Sequence, residues 1–413
     1  MKQCLPLGIK TISILFCIHF SFTVFGQATR SVVEPELQFR KAKILFDARQ
    51  YDALESYISA LISSPAASAT FSQWELDELN FMQLISGVVL HQETMIAKAI
   101  ELMETSPSRN TQVKLSYHLG HHFFTIGEYD KSIDYLEKSD PLYLSNEENE
   151  RIQFEKGVSY FAQKKFDNAK PYLRSLDQLN SSVYQDDVKY YLGFIAFSEK
   201  KYEEAGAFFK QIESSSTYSK VIPFYQACIA QATGNYSRAI TYGEKYLKGG
   251  DEIHVKQVSL LLASAYYNTG DFSRSVRLFK QAMEGGAELS NVQHFELGAG
   301  YYATGQYLKA IEELKPLSTS GEPIGAKAML VLGNSYLQAG QKANARSAFQ
   351  ICVSTLEPGE QLENVRFQLA KLSLEMGYED MAIQELSRIV KDQRQSVHAK
   401  EASNILIVYY ART

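Results

Sequence analysis

Cysteine is scarce in this sequence: 413 residues hold four. Cys4 and Cys17 lie in residues 1–26, so a chain shortened there keeps only Cys228 and Cys352, too few for a disulfide framework. Long apolar runs are missing after the N-terminus, and with them any second segment near the ~20 residues that a membrane-spanning helix needs. Positive charge is not in excess. Forty-two Lys and Arg face 47 Asp and Glu, a net of −5, and no basic stripe interrupts the pattern, so a nucleic-acid partner is not expected. The apolar–polar alternation that marks strands is absent too. So are a nucleophile motif, a phosphate loop and any paired-acid constellation; no cofactor and no catalysis are expected. Residues Gly298 to Gly305 superficially resemble a nucleotide loop, but the spacing is wrong and no strand precedes them.

What the chain does have is a period. Small residues recur at Gly87, Gly120, Gly157, Gly193, Ala227, Ala263, Gly298, Gly333 and Ala370, with gaps of 33, 37, 36, 34, 36, 35, 35 and 37. From Gly120 onward a second small residue follows twelve positions later: Ser132, Ala169, Ala205, Ala239, Ser275, Ala310, Ala345 and Ala382. Seven positions past the anchor, a turn glycine stands at Gly127, Gly234, Gly270, Gly305, Gly340 and Gly377. Nine past comes an aromatic, at Tyr129, Phe166, Tyr202, Tyr236, Phe272 and Tyr307. This punctuation predicts helix pairs: a first helix carrying the anchor, a glycine turn, and a second helix carrying the second small residue. No pair can bury its apolar faces alone, so neighbours must stack. Lys164 and Lys200 replace the turn glycine, Lys342 and Glu379 replace the aromatic, and Pro171 inside a second helix is expected to kink or locally break it.

The pattern resembles the tetratricopeptide repeat family, whose repeat has a small residue at its eighth position, an aromatic at the eleventh and alanine at the twentieth. Gly298, Tyr301 and Ala310 match it, as do Gly333, Tyr336 and Ala345, and Gly157, Tyr160 and Ala169. The resemblance covers roughly residues 80–395 and implies an all-α, right-handed α-solenoid of stacked helix-turn-helix repeats. Residues 80–396 form the array of about nine repeats. Residues 27–79 form a divergent helical repeat and loop, with Ala42 as anchor, Tyr51 in the aromatic slot and a surface loop from Pro65 to Thr70. Residues 397–413 form a terminal helix, either a cap or the start of a further repeat. Its run Ile405 to Tyr410 is apolar on all sides.

Residues 1–26 read as a secretory signal: Lys2 and Lys10, an apolar run from Thr11 to Phe25, then a cut before Gln27. Cleavage removes two lysines from 42 basic residues, leaving 40 against 47 acids, a net of −7. An export signal followed directly by helical repeats resembles an envelope protein of the Bacteroidota type, which implies the periplasm or cell envelope of a Gram-negative bacterium. Cys228 and Cys352 are more than three repeats apart, too far for a bridge that needs Cα atoms within about 7 Å. Each reads as a small buried hydrophobe.

In the family, the fifth, ninth and twelfth positions of the first helix line the concave groove. The resemblance therefore implies a peptide-binding groove containing Tyr117, Phe124, Phe154, Phe161, Tyr190, Phe194 and Phe197, with Lys114, Arg151 and Asp187 as a polar rim. Asn334 and Lys371 alone come near the residues with which one subfamily clamps a C-terminal carboxylate. About half of the rings are expected to fill core instead. His118 and His122, four apart on one helix, share a face; a surface histidine patch is favoured over a metal site, since no further ligand is near in sequence. The expected function is a non-enzymatic scaffold that holds a protein or peptide partner. Two rivals remain open: a sensor or adaptor module of a longer protein, and a carrier or chaperone for exported polypeptides.

Overall fold

The computed structural model describes residues 35–63, 70–179, 182–319, 323–392 and 396–412. The signal segment 1–26 and residues 65–69 of the loop lie outside them. Among the described residues every regular element is helical, with no strand. The chain divides into two compact blocks, one reaching to His122 and one starting at Phe123.

The first block holds α1 (Pro35–Asp47), α2 (Tyr51–Ile62), α3 (Gln73–Val89), α4 (Glu93–Thr105) and most of α5 (Arg109–Thr125). α1, α2 and α3 enclose Ala42, Leu54, Ile58, Phe71, Leu79 and Met82. α3 starts on a capping box: the Ser72 hydroxyl accepts from the Glu75 amide, and the Glu75 carboxylate accepts from the Ser72 amide at 2.8 Å.

The second block continues with α6 (Tyr129–Leu136), α7 (Asn146–Ala162), α8 (Phe166–Asp177), α9 (Gln185–Ser198), α10 (Tyr202–Gln211) and α11 (Ile222–Ala232). Then come α12 (Tyr236–Gly249), α13 (Val255–Asn268), α14 (Phe272–Glu284), α15 (Asn291–Ala303), α16 (Tyr307–Leu317) and α17 (Pro323–Gln338). α18 (Lys342–Thr355), α19 (Glu360–Glu375), α20 (Glu379–Asp392) and α21 (Val397–Tyr410) complete it. From α7 to α20 each odd-numbered helix packs against the even-numbered one that follows, and odd helices also touch the next odd helix, as α7 does α9 and α15 does α17. This is α-solenoid packing.

Burial explains the period. Ser132, Ala169, Ala205, Ala239, Ser275, Ala310, Ala345 and Ala382 are all 0% exposed. The glycine anchors are forced by close approach. A Cβ on Gly157, Gly193, Gly298 or Gly333 would lie 2.9, 2.8, 2.6 or 2.8 Å from Leu173, Phe209, Leu314 or Phe349, each sixteen residues on in the second helix.

The turns share one closure. The amide of the residue after the turn bonds the carbonyl five back, as in Gln306 to Tyr301 at 2.8 Å and Lys201 to Ala196 at 2.9 Å, the pattern of a Schellman cap. The residue between is left-handed at all six turn glycines, for example Gly305 at φ 76°. Lys164 and Lys200 adopt the same conformation at φ 61°, so the turn is kept without glycine, at a cost of roughly 1–2 kcal/mol each. Arg49 and His91, both at φ 57°, do the same in the first block. His91 moves one anchor. In that repeat the carbonyl that closes the turn belongs to Gly87 itself, so Leu84 holds the anchor place and Gly87 sits three residues past it. Accordingly, a Cβ on Gly87 would meet Met95, only eight residues on, at 2.4 Å. Pro171 does not break α8, which runs unbroken from Phe166 to Asp177. The proline stands in the sixth place of that helix, so the one acceptor it deprives is in the first turn, at Asp167.

Candidate interaction surface

The odd helices present the positions singled out above. In the first block, Tyr117 on α5 is buried, with its ring edge-on to His118 at 4.9 Å. In the second block, Phe161 on α7 and Tyr190 on α9 are also buried, 5% and 8% exposed. Phe161 packs among Leu173, Leu192 and Ile195. Tyr190 packs among Phe209, Ile222 and Tyr225, and its hydroxyl lies 3.2 Å from that of Tyr225. Phe124, Phe154, Phe194 and Phe197 are half-buried.

Two ring contacts recur on this face, one within a repeat and one between neighbouring repeats. Twelfth-position rings lean on the aromatic that opens the second helix: Phe124 on Tyr129 at 6.1 Å, Phe161 on Phe166 at 5.6 Å, Phe197 on Tyr202 at 6.1 Å, Tyr267 on Phe272 at 5.6 Å and Tyr302 on Tyr307 at 5.8 Å. The other contact comes from the residue two before each anchor, which reaches back to the preceding repeat. Tyr191 meets Phe154 at 6.3 Å and Phe161 at 4.7 Å. Tyr225 meets Tyr190, Phe194 and Phe197 at 6.0, 6.0 and 5.7 Å. Glu296 stands in the same register and accepts from the Ser264 hydroxyl at 2.5 Å and the Asn268 amide at 3.5 Å. The recurrence of Tyr191 and Tyr225 at one offset from the anchors is the sign of this position in the sequence.

The polar rim changes as well. Asp187, in the first turn of α9, is drawn in among rings, and the Tyr218 hydroxyl donates to its Oδ1 at 2.5 Å. Burial pushes its carboxyl above the usual aspartate range, with Asp186 adding to the shift and the Tyr218 bond opposing it. Burial, helped by the Asp187 charge, likewise raises Tyr191 and Tyr218. Arg151 faces Glu147 at 3.8 Å. Lys371 pairs with Glu401 at 3.7 Å and covers the Phe367 ring.

The histidines do not form a surface patch. His122 is buried, and its Nδ1 lies 2.7 Å from Nδ1 of His91 in the turn between α3 and α4. Burial, then the His91 and His121 charges, hold His122 below the ordinary histidine range. Among the described residues no group of three or more His, Cys, Asp or Glu is placed to hold a metal ion, and no helix is long and apolar enough to cross a membrane.

Two tetratricopeptide repeat family models match, at residues 260–296 and 295–353. No curated protein matches. Among solved structures, the chain is similar to a tetratricopeptide repeat protein from Parabacteroides merdae, with 16% identity, a TM-score of 0.37, and coverage of 63% of this chain and 99% of that one. It is also similar to the C-terminal part of a TPR repeat-containing protein from Cytophaga hutchinsonii, with 14% identity, a TM-score of 0.38, and coverage of 69% and 98%.

Proposed function

We propose that the helix pairs are tetratricopeptide repeats forming a non-enzymatic scaffold that binds a peptide strand or helix of a partner protein along the odd-helix face, in the envelope of a Gram-negative cell. One observation carries the binding reading. Phe154, Tyr191, Phe194 and Phe197 are half-buried side by side on α7 and α9, so a folded chain keeps aromatic surface in reach of solvent on one helix layer. Such surface on a repeat array is where a partner gains most, because rings bury large area at little entropic cost. The apolar segment Thr11 to Phe25 before Gln27 supports the envelope setting.

Peptide arrays probed with purified protein test this. The expected result is selection of a common motif by the native chain, and its loss in a Phe154→Ala, Phe194→Ala double variant that still melts cooperatively. Unchanged selection by that variant removes the odd-helix face as the site. For the setting, fractionation of the producing cell should find a chain beginning at Gln27 outside the cytoplasm; an intact N-terminus in the cytoplasm contradicts it.

A further inference from the structure

Asp187 and Glu296 are carboxylates of the second block that face no Lys or Arg in an ion pair among the described residues. Among the described residues Asp187 receives the Tyr218 hydroxyl, and Glu296 receives the Ser264 hydroxyl and the Asn268 amide; all three donors are uncharged. Several cations near Asp187 in sequence are engaged with other acids: Lys189 faces Asp177 at 3.6 Å, Arg174 faces Glu204 at 3.1 Å, and Lys201 faces Glu199 at 2.7 Å.

Asp187 also stands among rings. Tyr184, Tyr190 and Tyr191 fall at i−3, i+3 and i+4 from it, on one flank of α9 and the turn before it. Tyr184 stacks on Phe154 at 4.2 Å, and Tyr190 stacks on Tyr218 at 4.5 Å. Tyr184, Tyr191 and Phe154 are only half-buried, so each leaves part of its ring to solvent. A carboxylate flanked by electron-rich rings, partly withdrawn from water, repels an anion and attracts a cation, through both the charge and the ring quadrupoles. One Asp187 oxygen is tied to Tyr218, and the other has no bond from the chain among the described residues. Asp186, exposed beside it, adds negative charge of its own.

We infer that the partner segment carries a lysine or arginine whose cation is received at Asp187, between Tyr184 and Tyr191. This rests on the reading that the odd-helix face binds a peptide, and it names the chemistry of that peptide. The cation supplies what the fold leaves out, a positive charge for a carboxylate held among rings. Charge sets the register of the segment, and the neighbouring rings Phe194 and Phe197 take its apolar side chains.

Calorimetry with three fixed peptides separates this inference from the broader one. The probes are Ser-Phe-Lys-Ser-Phe-Lys, the same peptide acetylated on both lysines, and Ser-Phe-Glu-Ser-Phe-Glu. The native chain should bind the lysine peptide about tenfold more tightly than its acetylated form, and the glutamate peptide least. Asp187→Asn keeps an oxygen for the Tyr218 hydroxyl, so the fold should hold while the lysine preference disappears. Glu357→Gln, an exposed acid elsewhere, makes the same charge change and should leave the preference intact. The inference is overturned if the native chain does not bind the lysine peptide, if acetylation costs nothing, or if Asp187→Asn keeps the preference. If all three peptides bind alike and all are lost with Phe194→Ala, the face binds peptides without the cation. If neither Phe194→Ala nor Asp187→Asn alters binding, both readings fall.

Discussion

Helices α7 to α10 and α15 to α20 share a register but differ at the fifth, ninth and twelfth repeat positions of their first helices. In the former the fifth, ninth and twelfth positions hold Phe154, Val158, Phe161, Tyr190, Phe194 and Phe197. In the latter, after Phe295, Ala299 and Tyr302, they fade to Leu330, Asn334 and Leu337, then Phe367, Lys371 and Leu374. The family models match residues 260–353, within which the plainer α15 to α17 and most of α18 lie, and not the aromatic stretch. Yet Ala169 and Ala205 in the first stretch are as fully enclosed as Ala310 and Ala345 in the second. Stacking depends on the small residues where helices touch. Where a fifth, ninth or twelfth position is only half-buried, as at Phe154, Phe194 and Phe197, the small-residue contacts do not demand a ring there.

The comparison breaks most visibly at Phe161. Although it occupies a face position, it is a core residue, and Phe161→Ala should cost about 3–5 kcal/mol in denaturant unfolding. Its counterpart Leu337 is half-buried, so Leu337→Ala should cost clearly less. Equal losses would mean that the two stretches are packed alike and that the grading of rings has no energetic meaning.

Overpacking tests what the two stretches share. Ala205→Leu and Ala310→Leu should each destabilise by about 1–3 kcal/mol, because neither site has room and the neighbouring helix must shift. Hydrogen exchange should quicken in adjacent repeats before distant ones. If one of the two variants melts like the parent, the shared register fails in that stretch.

The smallest effect is in acid, and its sign differs between the blocks. His122 is held below its ordinary range, so its neutral form is favoured by folding. The stability it contributes is full above the unfolded histidine value of about 6.5 and is lost as pH falls through the lowered folded value. Asp187 and Glu296 are raised, so the stability of their protonated forms is full below the unfolded carboxylate range and is lost as pH rises through the raised folded values. Between pH 7 and 5, amide protection relative to the intrinsic exchange rate should fall around the turn between α3 and α4 while that of α9 and α15 is unchanged or rises slightly. His91→Gln, which takes one imidazole from the pair, should weaken the response at that turn. A uniform fall in protection across both blocks would show that these groups do not govern the response.

Much of this fold is visible in the sequence, because what fixes it is local. The second small residue of each pair, the left-handed turn and the aromatic opening the second helix follow from spacing alone. Gly87 misled because a glycine near the end of a first helix satisfies the same pattern as an anchor; only the turn at His91 shows that Leu84 holds that place. The face was harder to read. A helical position says which side a ring is on, not what covers it. Tyr191 and Tyr225 of the next repeat touch buried and half-buried rings alike; Phe161 closes into core among Leu173, Leu192 and Ile195, and Tyr190 among Phe209 and Ile222, while Phe194 and Phe197 stay partly open. The tie between Asp187 and Tyr218, 31 residues apart, depends on a loop whose path no periodicity reveals.

The two cysteines of the described residues sit in opposite surroundings. Cys352 is enclosed in α18, and burial pushes its thiol up to about 11, so it stays protonated and out of reach of reagents in neutral solution. Cys228 is only partly enclosed, on α11 at the ninth position of its repeat, beside the rings of the aromatic stretch. The fold thus carries one native attachment point for a fluorophore or spin label on the face in question. Its rate of alkylation, slowed when that face is covered, reports occupancy without any engineered residue.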